Sequence, residues 1–535
     1  MNSENTNVGG INMSSSTDIL GIILDEFRKA LSVPEMNEDD DFFDFGGHSL
    51  LATRILVSLK KKNIMVSFND FFQFPTARGI ASVAKTKQDP SEEKSASDSG
   101  LSDSSPLTFT QQFLWDAYEA FDFSPIYNLP FAIESQGDID EETFALSFCD
   151  VVERHPSLRT IFHKENGRVV QTIIPMEQLS RFKWYWGSNE NKEFSLEKES
   201  TYKFDLSKEL PLRVRFVKYD KRILISLLIH HMVIDEWSLN TLMQDLKHAY
   251  SSRIKNLSVK WNRNPKTMVD LWKEKNVQGL NKQHLQYWVE MLDGTVDRLK
   301  QLHALSADSI TLTAANSTGI FWDINSYNQI YSYVQKRKIS IFTLFYSIIS
   351  IALMKSYDMK EVIVGTSSSG RDDSRFFDTV GYFTTMIAHR LSLRENDKLD
   401  GYITRVAELV NESLDFASIP IDIVQKHLSN DSLGLIFDVY IHIHVNNALH
   451  GFMDEAQSIY YKQIPPPKNI SMFGIHFELM DNITASNQHE LSLIVTYQKN
   501  RYSDQEIEIL CTRVEQILSF ILQGEEDILV SKLFS

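Results

Sequence analysis

Residues 223–238 have the sequence ILISLLIHHMVIDEWS, in which an apolar run leads directly into two adjacent histidines. The run 223–229 predicts a buried strand, because short continuous apolar segments are typical of strands covered on both faces. His230 and His231 then lie at the end of that strand, and Asp235 follows in the next turn. Histidine has the side-chain pKa nearest to neutrality, so the pattern predicts proton transfer or amine orientation in a cleft.

The composition indicates a globular, acidic protein with more than one compact unit. The chain has 535 residues, of which 42% are hydrophobic, and this length favours two or three units, each with a buried core. Its formal net charge of -17 argues against nucleic acid and anionic membranes as partners, because both bind basic surfaces. A net charge of this size also favours solubility.

The cysteine content and the start of the chain bear on the cellular compartment. The two cysteines, Cys149 and Cys511, form neither a disulfide framework nor a metal site, so we expect a reducing compartment and no bound metal. The polar start lacks the apolar region of a signal peptide, and no apolar run is long enough to cross a bilayer. The sequence therefore predicts a soluble, cytoplasmic protein.

The first part of the chain predicts a small helical unit between two polar segments. Residues 1–16 are rich in Ser, Asn and Gly, which is typical of a disordered tail. Apolar residues recur at helical spacing in residues 17–85, with Thr17 as a candidate N-cap of the first helix. Residues 86–105 contain almost no apolar side chains, which predicts a flexible linker.

The remaining residues, 106–535, predict an α/β domain with two lobes. Strand-like runs such as 437–444 alternate with helical runs such as 504–522. The length exceeds what one layered domain needs, so we expect an N lobe of about 106–275 and a C lobe of about 276–535.

Residues 42–50, with the sequence FFDFGGHSL, place a serine where an added phosphate is favoured. Ser49 falls at a predicted helix start, where unpaired N–H groups and the helix dipole attract an anionic group. Gly46 and Gly47 permit close approach by the active site of another protein. On these residues alone, an ordinary serine N-cap after a glycine turn is the alternative.

Within a helical unit of this length, the stretch closely resembles the peptidyl carrier domains of nonribosomal peptide synthetases. The resemblance implies that Ser49 carries 4'-phosphopantetheine, which a separate phosphopantetheinyl transferase attaches. Gly47, His48 and Leu50 are then the neighbours of the attachment site. The thiol of this arm would hold an acyl or peptidyl group as a thioester.

Motifs along the large unit resemble the condensation domains of the same synthetases, in the order found in that family. Besides His230-His231 with Asp235, they are Thr108–Trp115, Arg154–Phe162, Phe204–Leu206 with Pro211–Arg213, Val364–Arg371 and Gly381–Phe383. The resemblance implies two chloramphenicol-acetyltransferase-like α/β lobes around a tunnel, which the donor arm and the acceptor enter from opposite sides. The implied fold class is α+β multidomain, with a small four-helix carrier domain followed by this two-lobed condensation domain.

The resemblance also assigns roles at the histidine motif. His231 matches the catalytic histidine, which either deprotonates or positions the acceptor amine as it attacks the thioester carbonyl. His230, Asp235 and Trp237 are implied to support the site. The order Trp237-Ser238 matches condensation domains, whereas epimerisation domains usually place the tryptophan after the serine.

Two questions at this motif stay open in the sequence. Asp235 is implied to pair with an arginine, because a buried carboxylate needs a cationic partner, and Arg159 and Arg371 are both candidates. Glu236 stands where the family usually has glycine. It either alters the backbone geometry of this turn, brings a carboxylate close to the acceptor amine, or faces solvent.

The order of the domains implies the function. The resemblance implies that a carrier preceding a condensation domain is the donor. The sequence shows no adenylation domain, so we expect a loading enzyme in trans, either an adenylating enzyme or an upstream synthetase module. The acceptor is either a free soluble amine, whose acylation releases the product, or an aminoacyl thioester on a separate carrier protein, and we favour the free amine. A non-catalytic docking module is the alternative to an amide-forming acyltransferase.

Overall fold

In the computed structural model of the chain, a four-helix unit packs against a two-lobed α/β unit. The structure describes residues 13–31, 33–45, 47, 49–62, 64–86, 104–135, 137–191, 193–219, 222–275, 280–295, 298–299, 313–428, 436–445, 447–465 and 470–534. His48, most of the predicted tail and most of the predicted linker lie outside these residues. The described part of the chain has the predicted order of a small helical unit and a large α/β unit.

Four helices of the small unit enclose one apolar core. Ile23 and Phe27, which face the same side of the first helix at four-residue spacing, are fully buried at the centre of this core together with Phe42 and Phe71. A short antiparallel ladder closes the unit. The elements are α1 (Met13–Leu31), α2 (Ser49–Lys61), β1 (Ile64–Met65), α3 (Phe68–Gln73), α4 (Ala77–Val83) and β2 (Lys85–Thr86).

Both ends of the small unit differ from the bounds expected from the sequence. The first helix begins at Met13, ahead of the predicted cap Thr17. Thr86, which the sequence placed in the linker, pairs with Ile64 in the ladder. At the other end of the predicted linker, Ser104 pairs with Thr172 of the large unit. Backbone pairing therefore extends into both ends of the segment that composition marked as linker.

The large unit alternates strands and helices, as predicted for an α/β domain. Its helices are α5 (Phe109–Ala120), α6 (Glu141–Arg154), α7 (Leu196–Ser200), α8 (Glu236–Ile254), α9 (Met268–Lys275), α10 (Lys282–Leu292), α11 (Ile324–Arg337), α12 (Ile341–Ser356), α13 (Leu399–Leu414), α14 (Ile421–His427) and α15 (Asp504–Leu522). Its strands are β3 (Ser104–Pro106), β4 (Asn128–Ser135), β5 (Thr160–Glu165), β6 (Arg168–Ile173), β7 (Tyr185–Trp186), β8 (Leu212–Tyr219), β9 (Arg222–His230), β10 (Thr313–Trp322), β11 (Glu361–Ser368), β12 (Thr385–Ser392), β13 (Val439–His444), β14 (Gly451–Phe452), β15 (Tyr460–Gln463), β16 (Ile470–Ser471), β17 (Ile475–Ile483) and β18 (His489–Gln498).

The first lobe is built around β9, the strand that leads into the histidine pair. The sheet has the order β14-β15-β4-β9-β8-β7, and β9 pairs antiparallel with both β4 and β8. Every residue from Ile223 to His230 is buried. This confirms the strand predicted from the apolar run, because only a strand covered on both faces needs apolar residues at successive positions.

The second lobe contains a seven-stranded sheet in the order β12-β11-β13-β17-β18-β10-β16. Its strands β11, β13 and β17 run parallel to one another. The carboxyl ends of these three strands therefore meet at one edge of the sheet. Helix α12 covers the sheet and is buried from Thr343 to Met354, which explains its nearly continuous apolar sequence.

A late segment of the chain crosses between the lobes. Strands β14 and β15 lie within residues 451–463, which the sequence assigned to the C lobe, yet β15 pairs with β4 of the first-lobe sheet. Leu449, Met453 and Tyr461 also pack into the core of the first lobe. This segment therefore joins the sheet and the core of the first lobe, although it follows strand β13 of the second lobe in the chain.

No single helix within the described residues is both long and apolar enough to span a membrane. Helices α11 and α12 meet that description only when taken together, and they are bent by 99° at their junction.

Candidate active site

The turn between β9 and α8 carries the histidine motif. His230 is the last residue of β9, residues His231–Val233 form one 3-10 turn, and α8 begins at Glu236. Asp235 is the N-cap of α8, and its Oδ1 accepts the Ser238 N–H at 2.8 Å. A rigid strand and a capped helix thus hold the motif from both sides.

His231 is held in one tautomer by the backbone of its own turn. Its Nδ1 lies 2.7 Å from the Ile234 carbonyl oxygen, which can only accept a hydrogen bond, so Nδ1 carries the proton and Nε2 keeps a free lone pair. Burial lowers the pKa of His231, and the Ile234 carbonyl and Asp235 oppose this only in part. The imidazole is therefore neutral at pH 7, with Nε2 available as a proton acceptor.

The His230 ring packs against core residues of the first lobe and is fully buried. Its ring centroid is 4.6 Å from that of Tyr118 and 5.9 Å from that of Phe204, and its Nδ1 accepts the Met232 N–H at 3.2 Å. Burial, followed by the neighbouring His231, lowers the pKa of His230 to about 3. The ring is thus a neutral packing element that stabilises the turn.

Asp235 forms a buried ion pair that joins the two lobes. Arg371 Nη1 donates to Asp235 Oδ2 at 2.7 Å, and neither side chain is exposed. The same oxygen accepts the Phe383 N–H at 3.0 Å, while Arg371 Nη2 donates to Ser238 Oγ at 2.8 Å. Burial alone would raise the pKa of Asp235, but the charge and hydrogen bonds of Arg371 and Ser238 lower it overall. This carboxylate is fully engaged and stays ionised.

The structure decides between the two candidate arginines. Arg371 contacts Asp235, whereas Arg159 Nη1 donates to the Ile174 carbonyl oxygen at 2.5 Å. Trp237 reinforces the same junction, because its Nε1 donates to the Phe377 carbonyl at 2.9 Å. The Arg371 guanidinium also lies over the Trp237 ring, 5.4 Å from the centroid. Arg371 and Trp237 are therefore brought to the motif, and Arg159 belongs to a different part of the first lobe.

Glu236 lies in a second polar cluster, which no local pattern in the sequence indicates. Its Oε1 is 2.7 Å from His444 Nδ1, and the centroids of the His442 and His444 rings are 4.8 Å apart. His442 Nδ1 lies 2.8 Å from Ser367 Oγ, and His444 Nε2 lies 3.8 Å from Glu478 Oε1. Glu236 is only about a quarter exposed, so the solvent-facing alternative for this residue does not hold.

The charges in this cluster are set by the partners of each ring. Burial lowers the pKa of His442 to about 4, with a further contribution from His444. For His444, the lowering by burial is outweighed by Glu236 and Glu478, which raise its pKa to about 10. Burial would raise the pKa of Glu236, yet His444 and His442 lower it overall. Glu236 and His444 therefore form an ion pair.

A cavity of about 830 Å³ connects the small unit with this cluster. Residues from all three parts of the chain line it, including Leu56, Lys60 and Phe72 of the small unit, Glu236 and Trp237 of the first lobe, and Arg371 and His442 of the second. His231 is not among the lining residues within the described part of the chain, although its surface is partly exposed. The sequence predicted a tunnel between lobes, and this cavity lies at their junction.

The small unit docks beside this cavity through α2 and the loops near it. The Arg54 guanidinium lies 5.1 Å from the Trp237 ring centroid, and Tyr331 Oη donates to the Phe43 carbonyl at 2.8 Å. Lys338 Nζ donates to the Gln73 carbonyl at 2.7 Å. Helix α2 begins at Ser49, as predicted, and its first residues therefore belong to a unit already in contact with both lobes.

The glycine turn ahead of α2 has room for only the smallest residue. A Cβ at Gly47 would collide with the ring and the carbonyl of Phe42, so the chain passes this point only as glycine. Ser49 follows at the start of the helix, where free backbone N–H groups favour a phosphate ester. These features fit an attached phosphopantetheine, and the described structure does not include His48.

Comparisons with known proteins cover nearly the whole chain. A model of the condensation domain family matches residues 102–530, and a model of the phosphopantetheine attachment site matches residues 21–83. The chain is 26% identical over 415 residues to the dimodular nonribosomal peptide synthase of Bacillus subtilis (strain 168). It is also 26% identical over 427 residues to the probable non-canonical nonribosomal peptide synthetase CymA of Salinispora arenicola (strain CNS-205). These matches cover 75% and 77% of this chain, but only 17% and 5% of the respective relatives.

Solved structures share the fold of the large unit. The first condensation domain of the calcium-dependent antibiotic synthetase, in complex with a substrate analogue, matches with a TM-score of 0.67 at 13% identity, covering 81% of this chain and 99% of that one. The condensation domain from the monacolin K polyketide synthase MokA matches with a TM-score of 0.65 at 16% identity, covering 80% of this chain and 99% of that one. At these identities the likeness shows the fold, which is the two-lobed chloramphenicol-acetyltransferase-like architecture expected from the sequence.

Proposed function

The chain belongs to the condensation domain family and carries a phosphopantetheine attachment domain ahead of it, and from this premise we propose that it forms an amide in nonribosomal peptide synthesis. An acyl or peptidyl group held as a thioester on the arm of Ser49 is the donor. The amine nitrogen attacks the thioester carbonyl carbon, the carbon–sulfur bond breaks, and one proton of the amine must leave. The observation that carries this proposal is the neutral His231 with a free Nε2 lone pair.

His231 is the proposed catalytic residue. Its Nδ1–H is fixed on the Ile234 carbonyl, so its Nε2 points a lone pair away from the turn and accepts a proton or a hydrogen bond from the attacking amine. A neutral imidazole is ready for this role at pH 7 without first losing a proton. General-base help of this kind is worth about 10²–10⁴ in rate, and orientation of the amine adds to it.

His230, Asp235, Arg371 and Trp237 are proposed positioning residues. The buried Asp235–Arg371 pair ties the turn of the first lobe to the second lobe. This pair holds the helix that follows His231, so the ring keeps one orientation while substrates move through the junction. Because both oxygens of Asp235 already accept hydrogen bonds, we do not assign it a proton-transfer step.

The donor side requires two partners in trans. A phosphopantetheinyl transferase attaches the arm to Ser49, and when bound, the arm supplies a thiol for thioester formation. An adenylating enzyme or an upstream synthetase module then loads the acyl group. Both partners use coenzyme A or activated acyl intermediates, and we place the reaction with them in the cytoplasm.

For the acceptor, we propose a free soluble amine, which would release the product from the arm. Glu236 lines the cavity wall, where its carboxylate is paired with His444, so its charge does not discriminate between a free amine and a carrier-bound one. An aminoacyl thioester on a separate carrier protein is the alternative acceptor. The two differ in whether the product leaves in solution or stays bound to a second protein.

A single-turnover assay on the full chain tests the proposal. Ser49 is loaded with an acyl group by a transferase and an acyl coenzyme A, and amines or aminoacyl carriers are then offered in turn. We expect amide product from the wild-type chain and a rate about 10²–10⁴ lower for His231→Ala. The matched control is His248→Ala, which removes an exposed histidine of the same helix, α8, and should react at the wild-type rate.

Two results would contradict the proposal. If His231→Ala forms product as fast as the wild-type chain, the large domain only docks its partners and another catalyst makes the amide. If Ser49→Ala still gains the mass of phosphopantetheine after incubation with coenzyme A and transferase, the donor site lies elsewhere.

A further inference from the structure

Three metal-ligating side chains converge beside the cavity. Glu236 comes from the first turn of α8, and His442 and His444 come from β13. Each offers one ligand atom, and the three atoms lie within 4.8 Å of one another. A divalent ion with bonds of about 2.0–2.2 Å to nitrogen and oxygen would need only small side-chain rotations to contact all three.

Each histidine has a polar neighbour at the nitrogen that faces away from the cluster. Ser367 Oγ lies 2.8 Å from His442 Nδ1, which leaves His442 Nε2 for an ion. Glu478 Oε1 lies 3.8 Å from His444 Nε2, which leaves His444 Nδ1 for the same ion. The Ser367 hydroxyl is within hydrogen-bond distance of His442, as is typical of the group that orients a metal-binding histidine, whereas Glu478 contributes negative charge near His444 at a longer distance.

The ligands stand on rigid elements of both lobes. His442 and His444 alternate along β13, so both rings lie on one face of the sheet, and Glu478 lies beside them as the strand partner of His442. Glu236 is held by the capped start of α8. An ion bound here would link the lobes at a point five residues beyond His231 in the chain.

We propose that Glu236, His442 and His444 bind one divalent transition-metal ion of the zinc type, with a coordination position open to the cavity. Two histidines and one carboxylate are a typical ligand set for Zn²⁺, and three protein ligands leave room for water or a donor atom of a substrate. Glu236 and His442 both line the cavity, so the open position faces molecules that occupy it. The ion would replace the proton that His444 shares with Glu236.

This site lies beyond the proposed amide-forming function, because His231 acts without it. The sequence predicted no bound metal from its two cysteines, and Glu236 lies 206 residues before His442, the nearer of the two histidines in the chain. Their spacing matches no local metal motif. Only the tertiary structure, which places the first turn of α8 beside the end of β13, brings them together.

Zinc binding to the untagged full chain tests this inference. The protein is treated with a chelator, desalted and titrated with Zn²⁺ by calorimetry, and its metal content is measured after gel filtration. We expect one ion per chain, a loss of binding in His442→Ala and His444→Ala, and affinity lower by at least tenfold in Glu236→Gln. Ser367→Ala should weaken binding by about 10–100-fold, as expected for a group that orients a ligand through a hydrogen bond.

The matched control is His489→Ala, which removes a histidine paired with Asp481 at 2.7 Å outside the cavity and should bind Zn²⁺ like the wild-type chain. Glu236→Gln preserves the shape of the side chain, so it remains informative if an alanine variant fails to fold. The inference is overturned if the chelated wild-type chain takes up no Zn²⁺, or if Glu236→Gln and His442→Ala keep the wild-type affinity. Binding of an alkylammonium ion that depends on Glu236, without Zn²⁺ uptake, would also overturn it and would identify an ammonium site.

Discussion

Two pairs of histidines lie at the ends of central strands in the two lobes, and they differ in their spacing along the chain and in the carboxylates beside them. His230 and His231 are adjacent at the end of β9, whereas His442 and His444 alternate along β13. Adjacent positions send the rings into different surroundings, one into the core and one towards the site. Alternate positions send both rings to the same face, where they share ligands and neighbours.

The charge of each ring follows from its partner. Burial dominates for His230, whose pKa falls to about 3. Two carboxylates outweigh burial for His444, whose pKa rises to about 10. The comparison shows that the neighbouring carboxylates decide whether a buried histidine is neutral or charged. In the first pair the carboxylate, Asp235, is neutralised by Arg371, which leaves His231 as a free acceptor.

The largest change in stability is expected from breaking the Asp235–Arg371 ion pair, which lies next to His230 and His231. Arg371→Leu would leave Asp235 buried without its cationic partner, and we expect a loss of about 3–5 kcal/mol in the free energy of unfolding. Urea unfolding followed by tryptophan fluorescence measures it. Arg390→Leu, which breaks the more exposed pair with Glu361, is the control and should cost less than about 1 kcal/mol. Equal losses in the two variants would show that the buried pair does not hold the lobes together.

The next largest effect is expected in the pH dependence of amide formation, which follows the protonation of His231. The pKa of His231 is lowered, chiefly by burial, so Nε2 stays unprotonated until the pH falls below the usual histidine range. With a weakly basic amine as acceptor, we expect a rate that is flat from pH 8 to about 6.5 and falls about tenfold per unit below the His231 pKa. The charged groups near the ring, Asp235 and Glu236, both oppose the lowering, and His230 stays neutral in this range. Single-turnover rates at each pH measure the profile, and a midpoint above pH 7 would contradict a buried neutral base.

The smallest change in stability is expected from removing the polar neighbour of His442. Ser367→Ala removes the hydroxyl that lies 2.8 Å from His442 Nδ1, and we expect the metal-free chain to lose about 0.5–1.5 kcal/mol of unfolding free energy. The same urea titration measures this loss. The control is Ser486→Ala in an exposed loop, which should change stability by less than about 0.5 kcal/mol. A neutral result for Ser367→Ala would mean that the hydroxyl does not hold the His442 ring.

Local patterns in the sequence predicted the elements well. The apolar run 223–229 lies within β9, the predicted helix 504–522 has the bounds of α15, and α2 begins at Ser49. Each of these signals involves residues close in the chain, where periodicity and helix capping act directly. The ends of the linker could not be predicted from local patterns, because Thr86 and Ser104 pair with strands that are distant in the chain.

The sequence by itself determined the two domains, the strand–turn–helix that carries His230 and His231, and the position of Ser49 at a helix start. Only the tertiary structure decided that Arg371 and not Arg159 pairs with Asp235, that residues 451–463 complete the first-lobe sheet, and that Glu236 meets His442 and His444. The physical reason is the range of the forces involved. Backbone conformation follows from neighbouring residues, whereas the partner of a buried charge is set by the packing of two lobes whose contacting residues lie more than a hundred positions apart.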